Sequence, residues 1–253
     1  MAPQENNFVR ALEALAAGKP VAVLDSEARE GETDLFIPGQ FLQPKNLRWL
    51  RTLAGGELYI SVGQEVAALF KLPFIGPALK ETSWDVLKQM QKENDGMCQG
   101  SCSVSVSLDH RSTATGAPDV ERSLTCRRLA ELYQESSKKG LTPDEACAEL
   151  GREFHTPGHV FLCRENDLGL KHRAGHTELS VALARAAGVT PVMVGCVMLS
   201  NEGDDYGALP PRLAEAWAVK NGVPFLTGEQ VQQHILSKAS NGVHNGVSNG
   251  NAH

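Results

Sequence analysis

The amino-acid sequence predicts one layered domain in which helices and strands alternate along the chain. Short apolar runs interleave with longer segments whose apolar residues recur at helical spacing, which is the pattern of a layered α/β domain. The chain has 253 residues, 42% of them hydrophobic and 21% charged, a composition typical of a globular protein. No apolar run approaches the roughly 18 residues that a membrane-spanning helix needs.

The first predicted elements lie before residue 110. Apolar residues at helical spacing predict a helix over residues 8–18, and the apolar run 20–25 predicts a buried strand. A helix that ends on glycines and a strand follow at 46–56 and 57–62. Period-two alternation over 103–108 predicts a half-buried strand.

Helices dominate the rest of the chain. An amphipathic pattern predicts a helix over residues 123–140, and the next predicted helix, 141–154, opens with a capping box in which Thr142 is the N-cap and Glu145 is at N3. The remaining predicted elements are apolar strands at 159–164 and 192–199 and helices at 176–188, 210–222 and 227–238.

The composition changes near the end of the chain. Residues 1–237 are predicted to form the single domain, whereas Asn, Gly and Ser dominate residues 238–253. Such a segment cannot bury an apolar core, so we expect a disordered tail there. The net charge of −6 and the absence of a long basic stripe argue against nucleic acid as the main partner.

The cysteines and the first residues indicate the compartment. The N-terminal segment lacks the basic and apolar regions of a secretory signal, so we expect a cytoplasmic protein whose six cysteines are thiols. Cys98 and Cys102 make a poor zinc motif, because no second pair with suitable spacing follows.

An acidic segment follows the first predicted strand. It contains five carboxylates and one arginine, namely Asp25, Glu27, Arg29, Glu30, Glu32 and Asp34. One interpretation is a solvated acidic turn. The other is a site at the end of a strand, because clustered carboxylates repel one another unless a cation lies among them. Hard carboxylate oxygens suit Mg²⁺.

Three other segments carry candidate functional groups. Pro and Gly precede His159, which predicts a tight turn that presents the imidazole at a strand start, although a lone histidine is more often structural. Arg173 and Gly175 precede His176 and Thr177 at a predicted helix N-terminus, where free N–H groups suit a phosphate. The alternative role for Thr177 is to cap that helix.

The fourth segment, residues 110–122, contains two threonines beside a glycine turn. Thr113 and Thr115 lie between Arg111 and Arg122, so the segment is either an ordinary turn or a second anion-binding loop.

Together the four segments resemble the 3,4-dihydroxy-2-butanone 4-phosphate synthase family. The matching patterns are D-x-x-x-R-E-x-E-x-D at 25–34, T-x-T-G at 113–116, P-G-H-V-F at 157–161 and R-x-G-H-T-E at 173–178. The resemblance covers residues 8–237 and implies a three-layer α+β domain with a mixed, twisted sheet flanked by helices. It also implies a homodimer with shared active sites, and a lyase that converts ribulose 5-phosphate to 3,4-dihydroxy-2-butanone 4-phosphate and formate. The expected cofactor is Mg²⁺ or Mn²⁺, with no organic cofactor.

The resemblance also implies roles for individual residues. Glu30 and His176 are expected to ligate the metal, and His159 is expected to be a catalytic acid or base. Asp25 and Glu32, with Glu30, complete the catalytic acidic loop. The residues expected to contact substrate are Arg29, Asp34, Arg173, Gly175 and Thr177, with Thr113 and Thr115 near the phosphate.

One position departs from the family pattern. The family has an essential Glu in the late strand, where this chain has Val197. Valine cannot transfer a proton, and the loss of a general acid or base costs about 10²–10⁴-fold in rate. Val197 also makes one wall of the expected substrate site apolar. Two alternatives therefore stand beside the synthase reaction: enolisation or dehydration of a less polar hydroxyketone in specialised metabolism, and a non-catalytic dimer that binds metal and phosphate.

Overall fold

The computed structural model describes residues 3–90, 103–201, 203–204 and 206–244, with the backbone alone for 3–5 and 238–244. The helices are α1 (Pro3–Ala16), α2 (Pro44–Leu53), α3 (Gln64–Leu69), α4 (Ile75–Lys80), α5 (Asp85–Gln89), α6 (Asp119–Lys139), α7 (Pro143–Glu153), α8 (His176–Ala186), α9 (Pro211–Asn221) and α10 (Gly228–His244). The strands are β1 (Val21–Leu24), β2 (Thr33–Pro38), β3 (Gly55–Val62), β4 (Val104–His110), β5 (Phe154–Arg164), β6 (Val192–Met198) and β7 (Phe225–Thr227). None of the helices described has the length and apolar character needed to cross a membrane.

The strands form one mixed sheet in the order β4-β5-β3-β6-β2-β1-β7. Two neighbouring pairs, β3 with β5 and β1 with β7, are parallel, and the other pairs are antiparallel. The prediction of an α+β domain with a mixed sheet is therefore confirmed.

Side chains that alternate along the strands divide the core into two clusters, one on each face of the sheet. On β2, Leu35 and Ile37 belong to the cluster that packs under α2, α6 and α9, whereas Phe36 belongs to the cluster under α1, α8 and α10. Helices cover both faces, which gives the three layers.

Local sequence signals place several of these elements correctly. Thr142 is the N-cap of α7: its hydroxyl accepts from the Glu145 amide at 3.4 Å, and the Glu145 carboxylate accepts from the Thr142 amide at 2.8 Å. The apolar run at 20–25 contains β1, whose four residues are all buried. Strand β2, strand β7 and the short helices α3, α4 and α5 were not predicted from the sequence.

Two boundaries in the structure differ from those that the sequence predicts. The predicted tail begins at Lys238, whereas α10 continues to His244, and residues 245–253 lie outside the described residues. His159 does not follow a turn at a strand start, because β5 begins at Phe154 and already includes Pro157 and Gly158. Pairing with β4 keeps this segment in the strand. The register of the β4–β5 pair shifts between Leu108 and Asp109, opposite this segment. Cys98 and Cys102 also lie outside the described residues.

Candidate active site

Asp25 organises the acidic loop between β1 and β2. Its buried carboxylate accepts hydrogen bonds from the amides of Glu30 and Glu32, at 3.3 and 3.2 Å, and from the Arg29 guanidinium at 3.0 Å. The Asp25 amide in turn donates to the Glu32 carbonyl at 3.1 Å. Because Asp25 accepts from both backbone and side chain, the loop is a turn ordered around this buried carboxylate, while Glu27 and Glu30 remain exposed.

His176 lies at the first turn of α8 and contacts this loop. Its Nε2 donates to the carbonyl oxygen of Glu32 at 3.1 Å, and its Nδ1 lies 3.5 Å from a carboxylate oxygen of Glu30. A carbonyl oxygen can only accept a hydrogen bond, so Nε2 carries the proton and Nδ1 is the nitrogen that faces Glu30.

The two partners shift each other's pKa. The hydrogen bond from His176, aided by the positive charges of Arg29 and Arg173, lowers the pKa of Glu30 to about 2 despite partial burial. Burial by itself would lower the pKa of His176, but the nearby Asp34, Glu30 and Asp25 outweigh burial and raise it to about 9. Without a metal, the pair is therefore an imidazolium–carboxylate ion pair at neutral pH.

The same groups fit a divalent cation. One ligand atom each from Asp25, Glu30 and His176 lies within 4.8 Å of the others. Two carboxylates and one imidazole nitrogen are ligand types that Mg²⁺ and Mn²⁺ accept. The hydrogen bond from Nε2 to the Glu32 carbonyl would also orient Nδ1 toward the ion, as partners of ligating histidines commonly do.

Asp34 lies on β2, deeper than the loop acids. One of its oxygens accepts a hydrogen bond from the Tyr59 hydroxyl. The other oxygen is buried, has no hydrogen-bond partner among the described residues, and lies 3.7 Å from Nε2 of His176. Burial raises the pKa of Asp34, and burial together with Asp34 raises that of Glu32. Val197 is directly opposite Asp34 across the β2–β6 pair, so the two side chains share one face of the sheet.

Arg173 and the start of α8 lie beside the acidic loop. The Arg173 guanidinium pairs with the fully buried carboxylate of Glu178, which also accepts from the Asn166 amide at 3.0 Å. A side chain at Gly175 would collide with that guanidinium, since a Cβ there would lie 2.4 Å from an Arg173 nitrogen. Gly175 is the N-cap of α8, so the interpretation of Thr177 as the cap is wrong and Thr177 lies inside the first turn.

His159 is held by a buried acid on the neighbouring strand. Its Nδ1 lies 2.6 Å from one carboxylate oxygen of Asp109, and its backbone amide donates to the other at 3.0 Å. The imidazole is 57% exposed, so Nδ1 is occupied while Nε2 faces outward. This is the arrangement of a histidine base oriented by a carboxylate.

The loop with the two threonines packs against His159. Gly116 has a φ of +76°, and a Cβ there would lie 2.6 Å from Nδ1 of His159. The carboxylate of Glu121 accepts from the amides of Ala114, Thr115 and Gly116 at 3.2, 2.9 and 2.6 Å. The Glu121 carboxylate is therefore the anion that these three amides bind. The Thr113 hydroxyl donates to the His110 carbonyl at 2.7 Å.

The candidate residues thus form two groups within one chain. The first, here called the acidic pocket, consists of Asp25, Arg29, Glu30, Glu32, Asp34, Arg173, Gly175, His176, Thr177 and Val197. The second, the His159 group, consists of Thr113, Thr115 and His159. Strand β5, which carries His159, lies three strand positions from β2, or about 14 Å at the usual strand spacing.

Sequence reasoning missed four residues of these groups. Glu178 ends the pattern R-x-G-H-T-E, yet no role was assigned to it. Asp109 and Glu121 have no local signal that links them to His159 or to the loop. Tyr59 lies in the predicted strand 57–62, and no local pattern links it to Asp34.

Comparison with known proteins identifies the family of this chain. The family model of 3,4-dihydroxy-2-butanone 4-phosphate synthase matches residues 9–234. Proteins of that name from Methanosarcina mazei and Archaeoglobus fulgidus are 41% and 35% identical, over 91% and 90% of this chain and 91% and 93% of their own length. A crystal structure of such a synthase in complex with two magnesium ions is similar, with a TM-score of 0.69 and 26% identity over 90% of this chain and 95% of its own. The chain therefore belongs to the 3,4-dihydroxy-2-butanone 4-phosphate synthase family, which acts in riboflavin biosynthesis.

Proposed function

We propose that this chain converts ribulose 5-phosphate to 3,4-dihydroxy-2-butanone 4-phosphate and formate in its acidic pocket. The observation that carries the proposal is the convergence of Asp25, Glu30 and His176, whose ligand atoms lie within 4.8 Å of one another. These groups lie beside the buried Asp34, whose free oxygen suits a substrate hydroxyl, and beside the cationic Arg173.

Glu30 and His176 would hold Mg²⁺, or Mn²⁺ at the same site. The Asp25 carboxylate is already bonded to the loop, so its main role would be to fix Glu30 in place. A bound divalent cation supplies positive charge that stabilises substrate oxygens when a proton is removed beside a carbonyl.

The other groups of the pocket would bind and orient the sugar phosphate. The N-terminus of α8 offers amide donors and positive partial charge to a phosphate, with Arg173 and Thr177 beside it. Asp34 would accept hydrogen bonds from substrate hydroxyls. Burial and the nearby Asp34 raise the pKa of Glu32, which favours a role for this loop acid in proton transfer.

Strand β5 lies three strand positions from β2, and the hydrogen bonds that His159 makes in the described residues go to Asp109, outside the acidic pocket of its own chain. Its outward imidazole is exposed and already oriented by Asp109, so it is prepared to act on a substrate bound elsewhere. We therefore propose a homodimer in which His159 of the partner subunit completes each active site.

Val197 supports a second candidate function. It lies directly opposite Asp34, where the family has a glutamate, and it offers no group for proton transfer. A chain with this site could use the same metal and hydroxyl contacts for enolisation or dehydration of a less polar hydroxyketone.

The test is formate release from ribulose 5-phosphate by the purified protein with Mg²⁺. Glu30→Gln is the control, because it removes a proposed ligand and keeps the shape of the side chain. Formate from the unmodified protein that is lost in Glu30→Gln supports the synthase reaction. No formate from the unmodified protein, together with formate from Val197→Glu, would favour the second candidate. No formate from either protein, with metal binding intact, would point to the non-catalytic alternative.

A further inference from the structure

Tyr59 reaches into the acidic pocket from a strand that does not adjoin Asp34. Tyr59 is on β3 and Asp34 is on β2, with β6 between them. Both Tyr59 and Phe36 pair with Gly195 of β6, one from each side. The phenol hydroxyl nevertheless donates a hydrogen bond to Asp34.

Gly195 is the residue that makes this contact possible. A Cβ at position 195 would lie 2.8 Å from Cζ of Tyr59 and 3.0 Å from its hydroxyl oxygen. Any side chain there would displace the ring. The missing side chain on β6 leaves a gap through which the phenol crosses to β2.

The hydrogen bond from Tyr59 gives the two carboxylate oxygens of Asp34 different surroundings. Tyr59 engages one oxygen, while the other is buried without a hydrogen-bond partner among the described residues. A buried acceptor without a partner costs free energy, and native proteins retain few of them. The carboxyl torsion of aspartate is soft, so an isolated Asp34 could rotate toward Nε2 of His176, which is 3.7 Å away. The phenol bond opposes that rotation.

Because residue 197 is a valine, the orientation of the Asp34 carboxylate depends more strongly on Tyr59. Residues directly opposite on antiparallel strands have Cβ atoms about 4.5–5.5 Å apart, so the side chain at position 197 is a near neighbour of Asp34. Valine has no donor or acceptor for the carboxylate. Within the part of the chain that the structure describes, the Tyr59 hydroxyl is the side-chain group hydrogen-bonded to Asp34.

We propose that Tyr59 is a positioning residue for substrate binding: its hydroxyl holds one oxygen of Asp34 so that the other stays directed at the substrate hydroxyls. This inference rests on the proposed function, in which Asp34 contacts substrate. Tyr59 acts through Asp34 and takes no part in binding the metal.

The first test compares Tyr59→Phe with the matched control Tyr133→Phe. Tyr133 packs edge-on against Phe70 in the core on the other face of the sheet. We expect Tyr59→Phe to raise the KM for ribulose 5-phosphate about tenfold, the effect of one lost hydrogen bond to a charged group. Mn²⁺ affinity, measured by electron paramagnetic resonance, should stay within about twofold because the proposed ligands are untouched. Tyr133→Phe should change neither quantity.

The second measurement is a crystal structure of the Tyr59→Phe protein. We expect the Asp34 carboxylate to be rotated, with an oxygen moved toward Nε2 of His176. An unrotated carboxylate would overturn the proposal, and so would a lower melting temperature with an unchanged KM, since that result indicates a purely structural role. If Tyr59→Phe does not fold, Gly195→Ala replaces it, because a Cβ at position 195 would displace the phenol from Asp34. An unchanged KM in that variant would also overturn the proposal.

Different results would refute the proposed function and the positioning role of Tyr59. If the unmodified protein releases no formate, the proposed function fails, but rotation of the Asp34 carboxylate still decides the role of Tyr59. If the unmodified protein releases formate and Tyr59→Phe has the same KM, the proposed function stands and the positioning role fails.

Discussion

The stability of the metal-free protein should fall as the pH rises through the pKa of His176. The surrounding carboxylates raise this pKa from 6.5 to about 9 in the folded protein, so folding favours the protonated imidazole. The resulting stabilisation is fully present below pH 6.5 and is lost as the pH rises to about 9. A shift of this size corresponds to about 3 kcal/mol in the free energy of unfolding.

Urea unfolding with a chelator present, measured from pH 6 to 9.5, tests this expectation. His176→Gln is the reference, because it removes the titrating group while keeping an amide that can donate to the Glu32 carbonyl. The stability of the unmodified protein relative to His176→Gln should decline by about 3 kcal/mol across that range. A difference that stays constant with pH would refute the reasoning.

Further predictions concern the metal, a buried ion pair and a helix cap. Mn²⁺ affinity should rise about tenfold per pH unit up to about pH 9, because the metal must displace the proton on His176; calorimetry would measure it. Glu178→Gln should destabilise the protein by about 3 kcal/mol and raise the KM, because Arg173 loses a buried partner. Thr142→Ala should cost about 1 kcal/mol without changing activity, because it removes only the cap of α7.

Each of these three expectations has an outcome that contradicts it. An Mn²⁺ affinity independent of pH would mean that His176 is not a ligand. A Glu178→Gln protein with unchanged stability and KM would show that Arg173 does not depend on this partner. A loss of activity in Thr142→Ala at unchanged stability would link α7 to the active site.

The features that could be predicted from the sequence are those with local causes. The capping box of α7 depends on two residues three apart, and the burial of β1 follows from a continuous apolar run. Strand β2 was missed because all six of its residues are buried, including Thr33 and Asp34, so it shows no alternation of polar and apolar residues. Its charged start also belongs to the acidic segment, which made it resemble part of a loop.

The candidate site likewise combines features that local motifs predict with features that depend on tertiary structure. The motifs predicted a set of candidate side chains, and the structure places ligand atoms of Glu30, His176 and Asp25 within 4.8 Å of one another. The gap between the acidic pocket and His159 follows from the order of the strands, which no local pattern encodes. Tyr59 is 25 residues from Asp34 in the chain, so their bond depends on tertiary packing and on the glycine between them.

Because Asp25 accepts hydrogen bonds from the acidic loop, the loop loses its conformational entropy when the chain folds and not when a metal binds. Two loop amides and Arg29 converge on its carboxylate without any ion, so the loop is ordered during folding of the chain. A cation then meets ligands that are already in place, in contrast to small zinc domains, where metal binding and folding are one event. The protein should therefore bind, release and exchange divalent ions without unfolding, and its ion preference should reflect ligand chemistry alone.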